Sequence, residues 1–212
     1  YIFYDQALQQ IGAVNTSIYP TLSESEIEYI LNDSGAKTII AGNPFLFRKV
    51  IKVANNCPAL MRIIPAFDDH EKYTEKISLN AGVIGFKELI AEGRTMVEKY
   101  RSAINSAREA ILPSDLSCLI YTSGTTGIPK GVMLTHKNIY TDVMYSKVSF
   151  PFIDAPYKVL SFLPLNHIFE KCVSYIYLFS GNGIYYAESL ETIGANLKEV
   201  NPHGFTTVPR LL

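Results

Sequence analysis

Short apolar runs alternate with helical patterns along most of this chain. Thr38 to Ala41 and Val159 to Leu163 are two such runs, and a helix signal follows each of them within a few residues. Because strands that alternate with helices are typical of βα units, this order predicts an α/β fold with layered βα units and a largely parallel sheet or sheets. The hydrophobic content, 48% of 212 residues, is enough to bury a sizeable core.

Several predicted helices begin with residues that can cap them. Ser23 and Glu26 have the spacing of a capping box, in which each side chain accepts a hydrogen bond from the backbone of the other residue. Asn43 is a good N-cap with Pro44 at the first helical position. Thr135 is placed to cap another helix. These signals predict helix starts at three places along the chain.

A turn-forming stretch, Pro113-Ser114-Asp115, follows the longest predicted helix. We predict that this stretch separates two βα lobes of the same domain, residues 1–112 and residues 113–212. The glycine-rich loop described below belongs to the second lobe.

Composition narrows the function classes. The chain has 19 Lys+Arg against 20 Asp+Glu and no basic run, so nucleic acid is not an expected partner. The most apolar stretch, Cys172 to Phe179, is too short to span a bilayer, and nothing signals secretion, so we expect a cytoplasmic location. Cys57, Cys118 and Cys172 lack the spacing of a zinc site and are predicted to be buried thiols, so no metal ligand is predicted.

A loop between two predicted strands carries the clearest functional signal. It combines three glycines, four hydroxyl side chains and one lysine. Glycines let the backbone approach a ligand closely, so that successive N–H groups converge on phosphate oxygens, while hydroxyls and a lysine add donors and positive charge. The predicted phosphate-binding residues are Thr122, Ser123, Gly124, Thr125, Thr126, Gly127, Lys130 and Gly131.

A flexible linker is the simplest alternative, because linkers are also rich in Gly, Ser and Thr. A linker has no need for Pro129-Lys130-Gly131, however, and it seldom lies between two apolar strands. A P-loop is excluded, because the Walker A pattern requires Gly-Lys-Ser/Thr where Pro129 and Lys130 stand.

The loop also carries a family resemblance. Thr122 to Gly131 resembles, without a gap, the phosphate-binding signature of the adenylate-forming (AMP-binding) superfamily, which includes acyl-CoA synthetases, luciferases and the adenylation domains of peptide synthetases. Four further segments resemble long-chain fatty-acyl-CoA synthetases in family order. They are Ile18 to Leu22, Glu28 to Ser34, Phe162 to Glu170 and Val208-Pro209-Arg210.

The resemblance implies a two-step ligase reaction. A carboxylate attacks the α-phosphate of ATP to give an acyl-adenylate and pyrophosphate, and the thiol of coenzyme A then attacks the acyl group to give the thioester and release AMP. The implied substrates are a fatty acid, ATP and coenzyme A, and Mg²⁺ shares the phosphate charge. The loop would hold the β- and γ-phosphates, with Lys130 and His167 as catalytic residues. A fatty acid partitions into bilayers, so peripheral contact of the whole enzyme with the cytoplasmic face of a membrane is compatible with this function.

Residues in or next to the segments Phe162 to Glu170 and Val208-Pro209-Arg210 give less specific signals. His167 follows a predicted strand end, which is a common place for ligand binding. In the family that the chain resembles, the matching histidine lies between the acyl carboxylate and the α-phosphate. A structural role explains a lone histidine equally well. Glu170 and Lys171 are predicted to be solvated helix charges without a role. Asn166 stands where many relatives have a small residue, and Thr207 stands where glycine is usual.

Neither end of the chain resembles a natural terminus, since it opens on Tyr1-Ile2-Phe3-Tyr4 and stops at Leu212. The family's adenine, ribose and coenzyme A contacts and its C-terminal domain would all lie beyond residue 212. We therefore expect an incomplete piece that does not turn over alone. Two alternatives stay open: an adenylating ligase for an aryl, amino or short acyl carboxylate, and a non-catalytic nucleotide- or acyl-binding module.

Overall fold

Helices and short strands alternate along the chain, as the sequence pattern predicts. The computed structural model describes residues 1–75, 77–122, 128–149 and 156–209. The helices in these ranges are α1 (Ile2–Gln10), α2 (Glu24–Asp33), α3 (Pro44–Val53), α4 (Phe86–Ala110), α5 (His136–Ser149), α6 (Ile168–Phe179) and α7 (Ile193–Val200). The strands are β1 (Asn15–Ser17), β2 (Thr38–Ala41), β3 (Arg62–Pro65), β4 (Gly82–Val83), β5 (Leu116–Thr122), β6 (Lys130–Thr135), β7 (Lys158–Ser161), β8 (Gly183–Tyr186) and β9 (Gly204–Phe205).

The strands of the described residues form three small sheets with the orders β1-β5-β6, β2-β3-β4 and β8-β7-β9. Every neighbouring pair in these sheets is parallel except β5 and β6, which are antiparallel. The predicted α/β class with largely parallel sheets is therefore confirmed. The exception is the hairpin that flanks the predicted phosphate loop.

The predicted caps of α2 and α3 are confirmed. The Ser23 hydroxyl accepts a hydrogen bond from the backbone N–H of Glu26 at 3.3 Å, and the Glu26 carboxylate accepts one from the Ser23 backbone at 2.8 Å. The Asn43 side chain accepts from the backbone N–H of Leu46 at 2.9 Å, with Pro44 at the first helical position. These bonds fix helix ends that would otherwise leave backbone N–H groups unpaired.

The β2-β3-β4 sheet and helices α2 and α3 share one hydrophobic core. Phe47 and Ile63 are fully buried there, and the Phe47 ring makes edge contacts with Phe67 and Tyr73. The polar, irregular stretch from Asp68 to Lys76 is what a surface loop would contain, and within its described part Tyr73 belongs to a short 3-10 turn, Glu71–Tyr73. Because the Tyr73 ring packs against Phe47 and Phe67, this stretch has a packed side as well as an exposed one.

Strand β1 belongs to the first predicted lobe, yet it pairs with β5 of the second, in the register Thr16 to Leu119. The two lobes thus share a sheet across the stretch at residues 113–115. The lobe boundary itself stays a prediction.

The three cysteines are free and buried, as predicted. The longest predicted helix is confirmed as α4, although none of its residues is buried. No helix among the described residues combines the length and the apolar character needed to cross a membrane.

Candidate functional site

Strands β5 and β6 bring the two ends of the predicted phosphate loop together. Thr122 and Lys130 are directly opposite each other at the end of the antiparallel pair, and Tyr121 is opposite Gly131. Lys130 is exposed. The remaining predicted loop residues, Ser123, Gly124, Thr125, Thr126 and Gly127, lie outside the described residues.

The base of the hairpin is fixed by one aromatic side chain. The Tyr121 hydroxyl donates a hydrogen bond of 2.6 Å to Asp33 at the end of α2. Burial raises the pKa of Tyr121, with the neighbouring Asp33 carboxylate as a further cause, so the hydroxyl keeps its proton and stays a donor. A Cβ atom on Gly131 would lie 3.1 Å from the Tyr121 ring. Gly131 therefore has a packing reason to lack a side chain, in addition to the predicted approach to phosphate.

Replacing Gly131 by alanine is expected to destabilise the protein by about 1–3 kcal/mol, because overpacking forces neighbouring groups to move. The Tyr121 ring at 3.1 Å cannot shift without straining its bond to Asp33. The shift of the urea unfolding midpoint of the whole protein measures this cost.

Gly93, in exposed helix α4, is the matched control for this substitution. Its added Cβ would meet nothing within 4 Å, so Gly93→Ala is expected to stabilise by about 0.5–1 kcal/mol through helix propensity. Equal effects of the two substitutions would contradict the packing explanation for Gly131.

His167 is the N-cap of α6. Its ring nitrogen Nδ1 accepts a hydrogen bond of 3.2 Å from the backbone N–H of Phe169, and its own backbone N–H donates to Pro164 at 2.9 Å. The side chain is exposed. Capping uses only Nδ1, so the structural explanation of this histidine accounts for one ring nitrogen and leaves Nε2 for other chemistry.

Lys130 projects to the side of the β1-β5-β6 sheet on which α6, the helix capped by His167, packs. Side chains alternate across a strand, so Thr122 shares a face with Ile120, and its partner Lys130 projects to that face too. Ile120 packs in a core cluster with residues of α5 and α6, and Ile168, next to His167, packs against that cluster. Lys130 and the helix that His167 caps are thus on the same side of this sheet.

An apolar cavity of about 470 Å³ lies between α5 and α6 and starts beside His167. This volume is in the usual range for small-molecule sites. The wall from α6 is apolar except for a thiol, whereas α5 contributes Asn138, Asp142 and Ser146 at one-turn spacing. The α6 residues are Ile168, Phe169, Cys172, Val173 and Ile176. The sequence pattern did not predict this cavity, because it depends on how the two helices pack.

The prediction for Glu170 and Lys171 is wrong. The two residues are 0% and 1% exposed. Glu170 accepts hydrogen bonds from Ser161 and Thr206, and Lys171 Nζ lies 2.6 Å from Asp5 Oδ1.

The physical reason is the environment of α6, which is apolar nearly all round its surface and packs between other elements, so its charged residues are buried as well. That composition was the sequence signal that could have identified them.

One departure from the family pattern also has a structural consequence. Asn166 is 9% exposed, and its Nδ2 is buried without a hydrogen-bond partner among the described residues. Buried polar atoms are usually paired, so this group is available to a ligand or to a segment outside the described ranges.

Comparison with known proteins gives one consistent result. The family model described as AMP-binding enzyme matches residues 1–212. Human long-chain-fatty-acid–CoA ligase 6 is 30% identical over 100% of this chain, which covers 30% of that protein. The chain therefore spans about a third or less of the length of the curated relatives that it matches.

Two solved structures share the fold. The adenylation domain of a carboxylate reductase from Mycobacterium chelonae matches with a TM-score of 0.71 and 20% identity, covering 94% of this chain and 32% of that one. A Mycobacterium tuberculosis fatty acyl CoA synthetase matches with a TM-score of 0.65 and 21% identity, covering 94% of this chain and 34% of that one.

Proposed function

The chain belongs to the AMP-binding enzyme family, and on that premise we propose that the whole protein activates a long-chain fatty acid with ATP and transfers it to coenzyme A. The observation that carries this proposal is the apolar cavity between α5 and α6, which begins beside His167 on the side of the sheet that Lys130 faces. Relatives named as long-chain-fatty-acid–CoA ligases support the same substrate class.

Charge neutralisation is the main task in the first step. A negative carboxylate must approach the α-phosphate of a highly negative triphosphate, so catalysis depends on positioning and on groups that stabilise developing charge. We assign the loop from Thr122 to Gly131 to the β- and γ-phosphates of ATP. The Lys130 ammonium then stabilises the charge that builds up as pyrophosphate leaves.

His167 is assigned to the junction between the acyl carboxylate and the α-phosphate. With Nδ1 committed to the backbone of Phe169, the ring is held in one orientation, and Nε2 can contact the reacting groups. The acyl chain would then extend from His167 into the apolar cavity, where Phe169 and Val173 contribute to the wall. Removing this chain from water favours binding in proportion to the apolar area that is buried.

Magnesium would be held mainly by the phosphates of ATP. Mg²⁺ prefers oxygen ligands and commonly keeps several water molecules alongside substrate phosphates. The described part of the chain contains no group of three or more His, Cys, Asp or Glu side chains that could hold a metal ion. We therefore assign no metal ligand to these residues.

A ligase for another carboxylate is the second candidate. It is favoured by the polar stripe of Asn138, Asp142 and Ser146 on the α5 wall of the cavity, which suits a substrate with polar groups better than a plain hydrocarbon chain.

The whole protein, with ATP and Mg²⁺, is expected to release pyrophosphate fastest with palmitate. Acetate, benzoate and a free amino acid serve as competing carboxylates in the same assay, and loss of free coenzyme A thiol follows the second step. Release with only one of the competitors would favour the second candidate. Release with none would refute the ligase proposal and favour a non-catalytic binding module.

A further inference from the structure

Glu170 occupies an unusual position for a carboxyl group. It is the third residue of α6 and is fully buried. One carboxyl oxygen accepts a hydrogen bond from the Ser161 hydroxyl, and the other accepts one from the Thr206 hydroxyl at 3.2 Å. Both oxygens of one side chain are thus committed to two different segments of the chain.

Those two segments lie at the carboxyl ends of two neighbouring strands. Ser161 is the last residue of β7, and Thr206 directly follows β9, which pairs in parallel with β7. In open α/β sheets, ligands bind outside the carboxyl ends of the strands. The Glu170 carboxyl group therefore joins the first turn of α6 to both strand ends at the edge where a ligand is expected.

Stability alone gives a weak reason for a carboxyl group here. Burial raises the pKa of Glu170, and the hydrogen bonds from Ser161 and Thr206 offset only part of that effect. A raised pKa means that the folded state disfavours the ionised form, so ionised Glu170 costs stability at neutral pH. Its geometric effect, a fixed distance among three segments, is the clearer consequence.

We propose that Glu170 is a positioning residue that holds the start of α6, and with it His167, at a fixed place relative to the carboxyl ends of β7 and β9. This inference rests on the proposed adenylation function. His167 caps the helix whose third residue is Glu170, so a shift of the helix start moves the histidine ring relative to the strand ends. A displacement of about 1 Å in a reacting group is enough to cost about 100-fold in rate.

The test compares Glu170→Ala and Glu170→Gln in the whole protein, with kcat and KM measured for palmitate-dependent pyrophosphate release. Glu170→Ala is expected to lower kcat by about 10- to 100-fold and to change the KM for ATP much less, because the phosphate loop is untouched. Glu170→Gln is expected to restore most of kcat. Its amide oxygen can accept from Ser161, and its N–H can donate to the Thr206 oxygen.

Ile63→Ala provides the control for general destabilisation. Ile63 is fully buried in the separate β2-β3-β4 sheet, so this substitution lowers the unfolding midpoint without touching α6. Its kcat at a temperature well below the midpoint is expected to match wild type. If Ile63→Ala lowers kcat as much as Glu170→Ala does, the effect is general and the positioning role is refuted.

A second variant covers the case in which Glu170→Ala does not fold. Thr206→Val removes one of the two hydroxyl donors with little change in shape, and it is expected to lower kcat several-fold with the KM for ATP little changed. An unchanged kcat in Thr206→Val and in any folded Glu170→Ala would overturn the inference, as would a Glu170→Gln variant as slow as Glu170→Ala. Wild type that releases no pyrophosphate with any carboxylate would instead refute the proposed function, and this inference with it.

Discussion

Replacing Lys171 by methionine is expected to lower the free energy of unfolding by about 3–5 kcal/mol, the usual cost of leaving one partner of a buried ion pair without the other. Lys171 and Asp5 are 1% and 0% exposed, with 2.6 Å between Nζ and Oδ1. Burial by itself lowers the pKa of Lys171, but interactions with Tyr1 and Asp5 outweigh it, so the pKa is raised and the ammonium group stays charged. Urea unfolding of the whole protein measures the loss.

A surface pair supplies the control for this prediction. Lys52 and Glu24 lie 2.7 Å apart, nearly the same distance, but their side chains are 63% and 42% exposed. Exposed pairs contribute about 0–1 kcal/mol, so Lys52→Met is expected to have a small effect. Comparable losses in the two variants would show that burial is not the cause.

A double-mutant cycle with Asp5→Asn separates the ion pair from ordinary packing. Asp5 Oδ1 also accepts a hydrogen bond from Asn15 at 2.6 Å, and Oδ2 accepts one from the Tyr175 hydroxyl. An asparagine can keep the first bond through its amide oxygen, and its NH2 group can donate to the Tyr175 hydroxyl oxygen. The double variant contains neither charge, so it is expected to cost about 1–3 kcal/mol less than the sum of the single losses. Strict additivity would contradict a direct interaction between Lys171 and Asp5.

Replacing Lys130 by alanine is expected to slow palmitate-dependent pyrophosphate release by about 100- to 1,000-fold, the usual effect of removing one group that stabilises transition-state charge. Lys130 is exposed at the end of β6, opposite Thr122, so its loss removes a charge without disturbing a buried contact. Folding stability should therefore change little. Pyrophosphate release, together with calorimetry of ATP-Mg²⁺ binding on the same samples, separates an effect on the rate from an effect on affinity.

Lys137 is the matched control for Lys130. It is an exposed lysine in the first turn of α5, outside the loop signature. Lys137→Ala is expected to retain nearly wild-type pyrophosphate release. A Lys130→Ala enzyme that works at the wild-type rate would refute the catalytic assignment of this lysine, and equal losses in both variants would point to a nonspecific effect of surface charge.

Local sequence signals predicted the fold well. The capping residues Ser23, Asn43 and Thr135 act on backbone groups within three positions of themselves, so the sequence alone contains the information. Strand bounds are harder to predict: the sequence favours a strand from Ala13 to Tyr19, but β1 covers only Asn15 to Ser17. The bounds of β1 depend on its pairing with Cys118 to Ile120 of β5, about a hundred residues away in the chain, and a local sequence pattern does not contain that information.

The candidate site was predictable only where a single segment defines it. The loop from Thr122 to Gly131 was identified as one continuous pattern, whereas the cavity requires α5 and α6 to be packed together. The partner of Lys171 is 166 positions away at Asp5, and no periodicity in either helix identifies that contact. The assignments of Lys130 and His167 stay predictions.

The bond between Asp5 and Lys171 also sets an earliest time at which α1 can reach all of its native contacts. During synthesis Asp5 emerges first, and the 166 positions that separate it from Lys171 take about 10–30 s to be made at ordinary translation rates. Strand β1 likewise cannot form its pairing with β5 until β5 has been synthesised. Asp5 in α1 therefore spends that interval without its ion-pair partner, although α1 can already pack against β1 and α4.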